Sequence, residues 1–144
     1  GDTWDSLLAV PAHGVHWLQN QGALQFKHHR LTSLPGAFGT SVVDVDNDGD
    51  LDVIAVSWLP PNVQPNAIAG GSYGSIVCLE QVQPGQFERH TLERGHPYYS
   101  SVVSGDFNSD GRVDFAVASG PMVAADRQEK FYLAIWWNEA GQTP

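Results

Sequence analysis

A chain of 144 residues has the size of one ordinary domain, and 16 acidic against 7 basic residues give it a formal charge of −9. That balance argues against recognition of nucleic acid or of anionic membrane surfaces, both of which need clustered Lys and Arg. A 42% hydrophobic content with 5 Trp, 4 Tyr and 6 Phe excludes a disordered acidic tail, and no run approaches the ~20 apolar residues of a membrane helix.

Frequent Gly and Pro predict short strands and turns in place of helices. In chain order, the strands are expected around 15–18, 26–31, 39–45, 51–58, 75–81, 87–92, 100–105, 113–119 and 131–138. A Pro/Asn/Gly-rich stretch, 60–74, reads as a surface loop. Runs such as Val53-Ile54-Ala55-Val56 are apolar on both faces, as befits a strand between two layers. Cys78, the single cysteine, sits in such a run and reads as a buried strand residue; it excludes an internal disulfide and a thiolate zinc cluster. The chain opens Gly1-Asp2 and has Met122 as its single methionine, so it is expected to be processed or part of something longer.

Self-comparison shows a repeat of about sixty residues. The stretch 40–57 aligns with 102–119 at an offset of 62, matching Asp44 to Asp106 and Asp52 to Asp114. Phe26-Lys27-His28-His29-Arg30-Leu31 aligns with Phe87-Glu88-Arg89-His90-Thr91-Leu92 at an offset of 61. A third set is Val15-His16-Trp17-Leu18, Ile76-Val77-Cys78-Leu79 and Ala134-Ile135-Trp136-Trp137, which puts Trp17, Trp136 and Trp137 at one strand position. Each copy reads as four strands, with an Asp/Gly loop between the first and second. The expected fold is therefore all-β, a partial β-propeller of four-stranded antiparallel blades. Residues 1–34 supply the third and fourth strands of one blade, 35–94 a complete blade, and 95–144 a blade lacking its fourth strand. Rings of 4 to 8 such blades need roughly 240 to 480 residues, so a larger ring is implied.

These features resemble the FG-GAP/VCBS repeat family, calcium-binding propeller repeats found in integrin alpha-chain ectodomains and in secreted bacterial proteins. The resemblance is carried by Phe38-Gly39, by the Asp-x-Asp-x-Asp-Gly-x-x-Asp loop from Asp44 to Asp52, by Asp-x-Asn-x-Asp-Gly-x-x-Asp from Asp106 to Asp114, and by Gly120-Pro121. Tyr99-Ser100 stands where the second copy should have Phe-Gly, and Ser57-Trp58 replaces the Gly-x-Pro end of the first. The resemblance implies a propeller with one Ca²⁺ in each loop.

The loops support this chemically. Ca²⁺ takes 6 to 8 oxygen ligands, and alternate residues of a tight loop can turn inward around one centre. Asp44, Asp46, Asp48 and Asp52 with the Asp50 carbonyl form one set; Asp106, Asn108, Asp110 and Asp114 with the Arg112 carbonyl form the other. Asp50 and Arg112 share a position because only their main chain is used. Ala55 and Val117 stand where a helix-loop-helix calcium motif needs Glu. Plain Asn/Asp-Gly hairpin turns are the simpler reading, but they require none of the further carboxylates. Ca²⁺ ranks first, with Mg²⁺ the substitute, and the second loop, with one carboxylate fewer and Arg112 beside it, is expected to bind more weakly.

His28, His29 and His90 recur on fourth strands and suit solvated or cross-strand-paired residues. Trp58, Tyr73, His96, Tyr98 and Tyr99 flank loops and are the candidates for ligand contact. No catalytic constellation is interpretable. The sequence thus points to a calcium-binding binding or scaffold module that is secreted, periplasmic or at the cell surface. Its expected partners are the rest of a propeller chain or further copies of itself, with a protein or glycan ligand. The alternative is the propeller portion of a carbohydrate-active enzyme of lyase or sugar-dehydratase type.

Overall fold

The computed structural model describes residues 13–59, 74–119 and 133–139. Every regular element among them is a strand: β1 (Val15–Gly22), β2 (Gln25–Thr32), β3 (Ala37–Val43), β4 (Asp52–Ser57), β5 (Gly74–Gln83), β6 (Gln86–Arg94), β7 (Tyr99–Gly105), β8 (Asp114–Ser119) and β9 (Leu133–Trp136). No helix of the described residues is long and apolar enough to cross a membrane. Most of the insertion read as a loop, 60–73, lies outside the described residues, as do Tyr73 and Gly120-Pro121.

Neighbours in sequence pair antiparallel, giving three sheets of order β1-β2, β3-β4-β5-β6 and β7-β8-β9. Their connections follow from local chemistry. Ala23 and Leu24 take φ of +48° and +60° in the two-residue β1–β2 turn, and Asn20 Oδ1 braces it by accepting the Gly22 N–H at 2.8 Å. Gly85, at φ +77°, supplies the left-handed residue of the Pro84-Gly85 turn joining β5 to β6.

The sheets stack face to face in chain order, and the two interfaces are the same interface made twice. Val15 and Leu31 of the first sheet pack against Ala37, Val53, Ala55, Val77 and Leu79 of the second. One repeat later, Ile76 and Leu92 of the second sheet pack against Tyr99, Phe115, Val117, Ala134 and Trp136 of the third. Alternation along β4 sends Val53 and Ala55 to one neighbour and Ile54 and Val56 to the other, so all six of its residues are buried. Where β3 and β7 approach, side chains are small: Ser41 Oγ lies 2.7 Å from Ser104 Oγ. A Cβ on Gly39 would stand 3.3 Å from a Val56 methyl and 3.6 Å from the Ser101 main chain, a close approach that a larger residue could make only if Val56 gave way by a few tenths of an ångström.

Strand register corrects two sequence alignments. Trp17 pairs with His29 as Cys78 does with His90, whereas Trp136 pairs with Phe115 as Leu79 does with Val53. Trp17 and Trp136 therefore occupy adjacent positions of the repeat and opposite sheet faces, because a one-residue slip reverses every side chain. Trp136 stacks on Phe115 at 5.6 Å and 11°, Trp17 stacks on His29 at 4.9 Å, and Trp137 is 48% exposed. Likewise Tyr99 pairs with Ser119 as Ala37 does with Ser57, so Phe38-Gly39 correspond to Ser100-Ser101 and not to Tyr99-Ser100.

Candidate metal centre and the opposite rim

The two Asp loops, residues 44–51 between β3 and β4 and 106–113 between β7 and β8, fold alike down to single hydrogen bonds. Asn47 and Ser109 take φ of +62° and +64°, and Gly49 and Gly111 take +97° and +85°. These turns curl the chain around its first carboxylate. Asp44 accepts the N–H of Asp48 at 3.1 Å and of Gly49 at 3.0 Å; Asp106 accepts those of Asp110 at 3.2 Å and Gly111 at 2.9 Å. Asp46 and Asn108 each accept the N–H two residues on, as do Asp48 and Asp110.

In the first loop, one carboxylate oxygen each of Asp44, Asp46 and Asp48 lies within 4.8 Å of the other two. Ligands on opposite sides of a Ca²⁺ stand roughly 5 Å apart, given bonds of about 2.3–2.6 Å, so this oxygen cluster has the dimensions of a hard-cation site. The cluster is electrostatically uncomfortable as it stands. Burial, then the charges of Asp48, Asp52 and Asp44, hold the Asp46 carboxyl above the ordinary carboxylate range, against the pull of the Asp48 N–H. The Asp50 carboxyl is raised too, by burial first and then by Asp48, Asp52 and Asp46, with the Gln81 side chain opposing.

The second loop differs at two of these positions, with Asn108 in place of Asp46 and Arg112 in place of Asp50. Arg112, expected to contribute only its carbonyl, turns its guanidinium back onto Asp110 at 2.6 Å, while its Nε donates to the Asn138 carbonyl at 2.6 Å. Asp110 is held below the usual range, first by the Arg112 N–H and with help from the Asn108 amide and the guanidinium. The cation that the first loop lacks is thus partly built into the second.

Asp52 and Asp114, ninth in each loop, are 1% and 0% exposed and tie the loop base to the sheet. Asp52 accepts the N–H of Val45 and of Gln81, both at 2.8 Å. Asp114 accepts those of Phe107 at 3.1 Å and Asn138 at 2.9 Å. Their carboxylates retain lone pairs for a metal, but anchoring is the role their contacts display.

At the far end of the sheets, the structure gathers Trp58, His96, Tyr98 and Tyr99. Trp58 bridges to Tyr98, Leu59 donates to the Pro97 carbonyl at 2.8 Å, and the His96 ring meets those of Tyr98 at 5.2 Å and Tyr99 at 5.7 Å. Tyr98 is 8% and Tyr99 0% exposed, so both are core. Register explains this for Tyr99, which takes the inward position of Ala37. Sequence reasoning missed Phe38, which is 62% exposed and 5.8 Å from the Trp58 ring, because it was read as a family signature and not as surface.

The repeated histidines are paired across strands: His29 with Gln19 at 3.1 Å, His90 with Glu80 at 2.8 Å, and His28 with His16 at 2.7 Å. Comparison with family models, with curated proteins and with solved structures finds no match.

Proposed function

We propose that the chain is an arc of a calcium-stabilised β-propeller of FG-GAP/VCBS type, acting outside the cytoplasm as a binding or scaffold module. The observation that carries this reading is the Asp44-Asp46-Asp48 oxygen cluster, set in a loop whose geometry is built a second time at the equivalent place. Three sheets joined by one interface used twice are what successive blades require. In this reading one Ca²⁺ sits in each loop, held by the carboxylates at the first, third and fifth positions (Asn108 in the second loop) and the seventh carbonyl. In this reading the protein works where free calcium is high, at the about 10⁻⁴–10⁻³ M to which extracellular calcium modules are tuned.

The ring is completed by further chain or by copies of this one, and the rim bearing Phe38, Trp58 and His96 is the surface for a protein or glycan ligand. The carbohydrate-enzyme alternative needs loop aromatics such as Tyr98 and Tyr99, with His96, to face a substrate; both tyrosines are buried, and nothing in their placement favours it. Titration calorimetry with Ca²⁺ tests the proposal. Two binding events per chain are expected, one of which disappears in Asp48→Ala and the other in Asp110→Ala; an absence of calcium heat in the intact chain would overturn it.

A further inference from the structure

Between the first and second sheets, beside the first Asp loop, lies a cleft of about 360 Å³ lined by Trp17, Gln19, His29, Asp50, Gln81 and the Pro84-Gly85 turn. β1 and β2 form one wall, and the loop and the β5–β6 turn form the other, so the chain itself supplies both. Strands completing the first sheet would join the free edge of β1, away from His29. The walls are braced. Trp17 stacks on His29, which pairs with Gln19 at 3.1 Å, and a Cβ on Gly85 would stand 3.5 Å from the indole. Gln81 Oε1 accepts the Gly85 N–H at 2.8 Å, and the Gln81 side chain also serves the Asp50 carboxyl. Even so, Asp50 Oδ1 is buried and has no hydrogen-bond partner among the described residues. A carboxylate oxygen hidden from water needs a donor, and no Lys or Arg is among the described residues lining the cleft.

The second interface shows which donor suits this frame. Strand register makes Cys78, Glu80 and His90 the counterparts of Trp17, Gln19 and His29, while Asn138 meets Asp114 as Gln81 meets Asp52. Arg112 is then the counterpart of Asp50, and its guanidinium lies against the Asp110 carboxylate and the Asn138 carbonyl, each at 2.6 Å. One repeat carries its own guanidinium where the other carries a carboxylate with an oxygen to spare. We propose that the cleft binds the guanidinium group of a ligand, with the Asp50 carboxylate as its acceptor and the Trp17 ring as the wall for its apolar stem. A planar, weakly hydrated fork of donors matches a half-buried carboxylate better than a compact ammonium does. The group comes from an arginine side chain of a partner peptide or from a free guanidino compound. The seventh loop position lends a metal only its carbonyl, so this binding needs no Ca²⁺.

The test titrates N-acetyl-arginine amide into the isotope-labelled full chain, followed by nuclear magnetic resonance, once in saturating Ca²⁺ and once in a chelator. Saturable shifts at the Gln81 side-chain amide, the Gly85 N–H and the Trp17 indole are expected in both, and none with the neutral isostere N-acetyl-citrulline amide. Asp50→Asn keeps the shape and the loop carbonyl; it should weaken binding by ~10-fold or more, the worth of one hydrogen bond to a charged group. Asp50→Arg, which copies the second loop, should abolish it. Butylguanidinium carries the same group without peptide bonds and names the source: tighter binding of the arginine amide assigns a peptide, tighter binding of butylguanidinium a free guanidino compound, and either result sustains the site. No saturable shift in the intact chain, equal affinity for the citrulline or the lysine amide, or unchanged binding in Asp50→Asn would overturn the proposal. So would binding confined to the chelator, where the bare loop carboxylates attract any cation.

Discussion

Arg112 reaches back two residues to Asp110, guanidinium to carboxylate at 2.6 Å, where the first loop has Asp50 and no cation of its own. The two loops share their backbone hydrogen bonds, so this contact and the Asp46/Asn108 difference are what separate them chemically. A metal entering the second loop must displace the guanidinium and meets one fewer carboxylate. The second loop should bind Ca²⁺ more weakly, and Arg112→Asp should tighten it while leaving the first unchanged. Calorimetry that assigned the tighter event to the second loop, by its disappearance in Asp110→Ala, would refute this.

Asp52 should matter without any metal. Replacing it by Ala strands the buried N–H groups of Val45 and Gln81, at roughly 1–3 kcal/mol each, for a loss of about 2–6 kcal/mol. Urea unfolding in the presence of a chelator measures it. If the variant were as stable as the parent there and differed only with calcium present, Asp52 would be a ligand and not an anchor.

The β9 register makes a paired prediction. Trp136→Ala removes the ring stacked on Phe115 and should destabilise by about 2–4 kcal/mol, less than a wholly buried Trp would cost. Trp137→Ala, at a half-exposed site, should stay within about 0.5 kcal/mol. The reverse order would restore the alignment that sequence comparison suggested.

Cys78 should behave as an inert thiol. Burial, then the charges of Asp52, Glu80 and Asp46, push it up to about 12, so almost no thiolate exists at pH 8 in the folded chain. Because the folded value is raised above the unfolded value of about 8.5, the group favours folding fully below that pH and loses its contribution progressively toward pH 12. Aromatic disulfide reagents at pH 8 should react only at the rate of unfolding; prompt labelling of native protein would contradict the burial.

The strands and both Asp loops were legible in the sequence because they are written in local chemistry: runs apolar on both faces between Gly, Pro and Asp turns, repeated at a spacing near sixty. Positions that depend on register were not. The apolar run ending in Trp136-Trp137 contains no turn residue to fix its phase, and one residue of slip exchanges a core ring for a surface one. Tyr99 was misplaced in the same way, by matching it to Phe38 when its strand partner matches it to Ala37. The Arg112 contact and the His16–His28 pair depend on side-chain direction and cross-strand geometry, which spacing along the chain does not encode.

Thermal unfolding with Ca²⁺ and with a calcium chelator tests the central claim most directly. A ligand bound by the folded chain alone adds about 2.7 kcal/mol when present at a hundred times its dissociation constant. The account predicts a higher Tm in Ca²⁺ for the unaltered chain, a smaller rise in Asp48→Ala, and none when Asp110→Ala is added. An unchanged Tm while calcium is demonstrably bound and removed would contradict it.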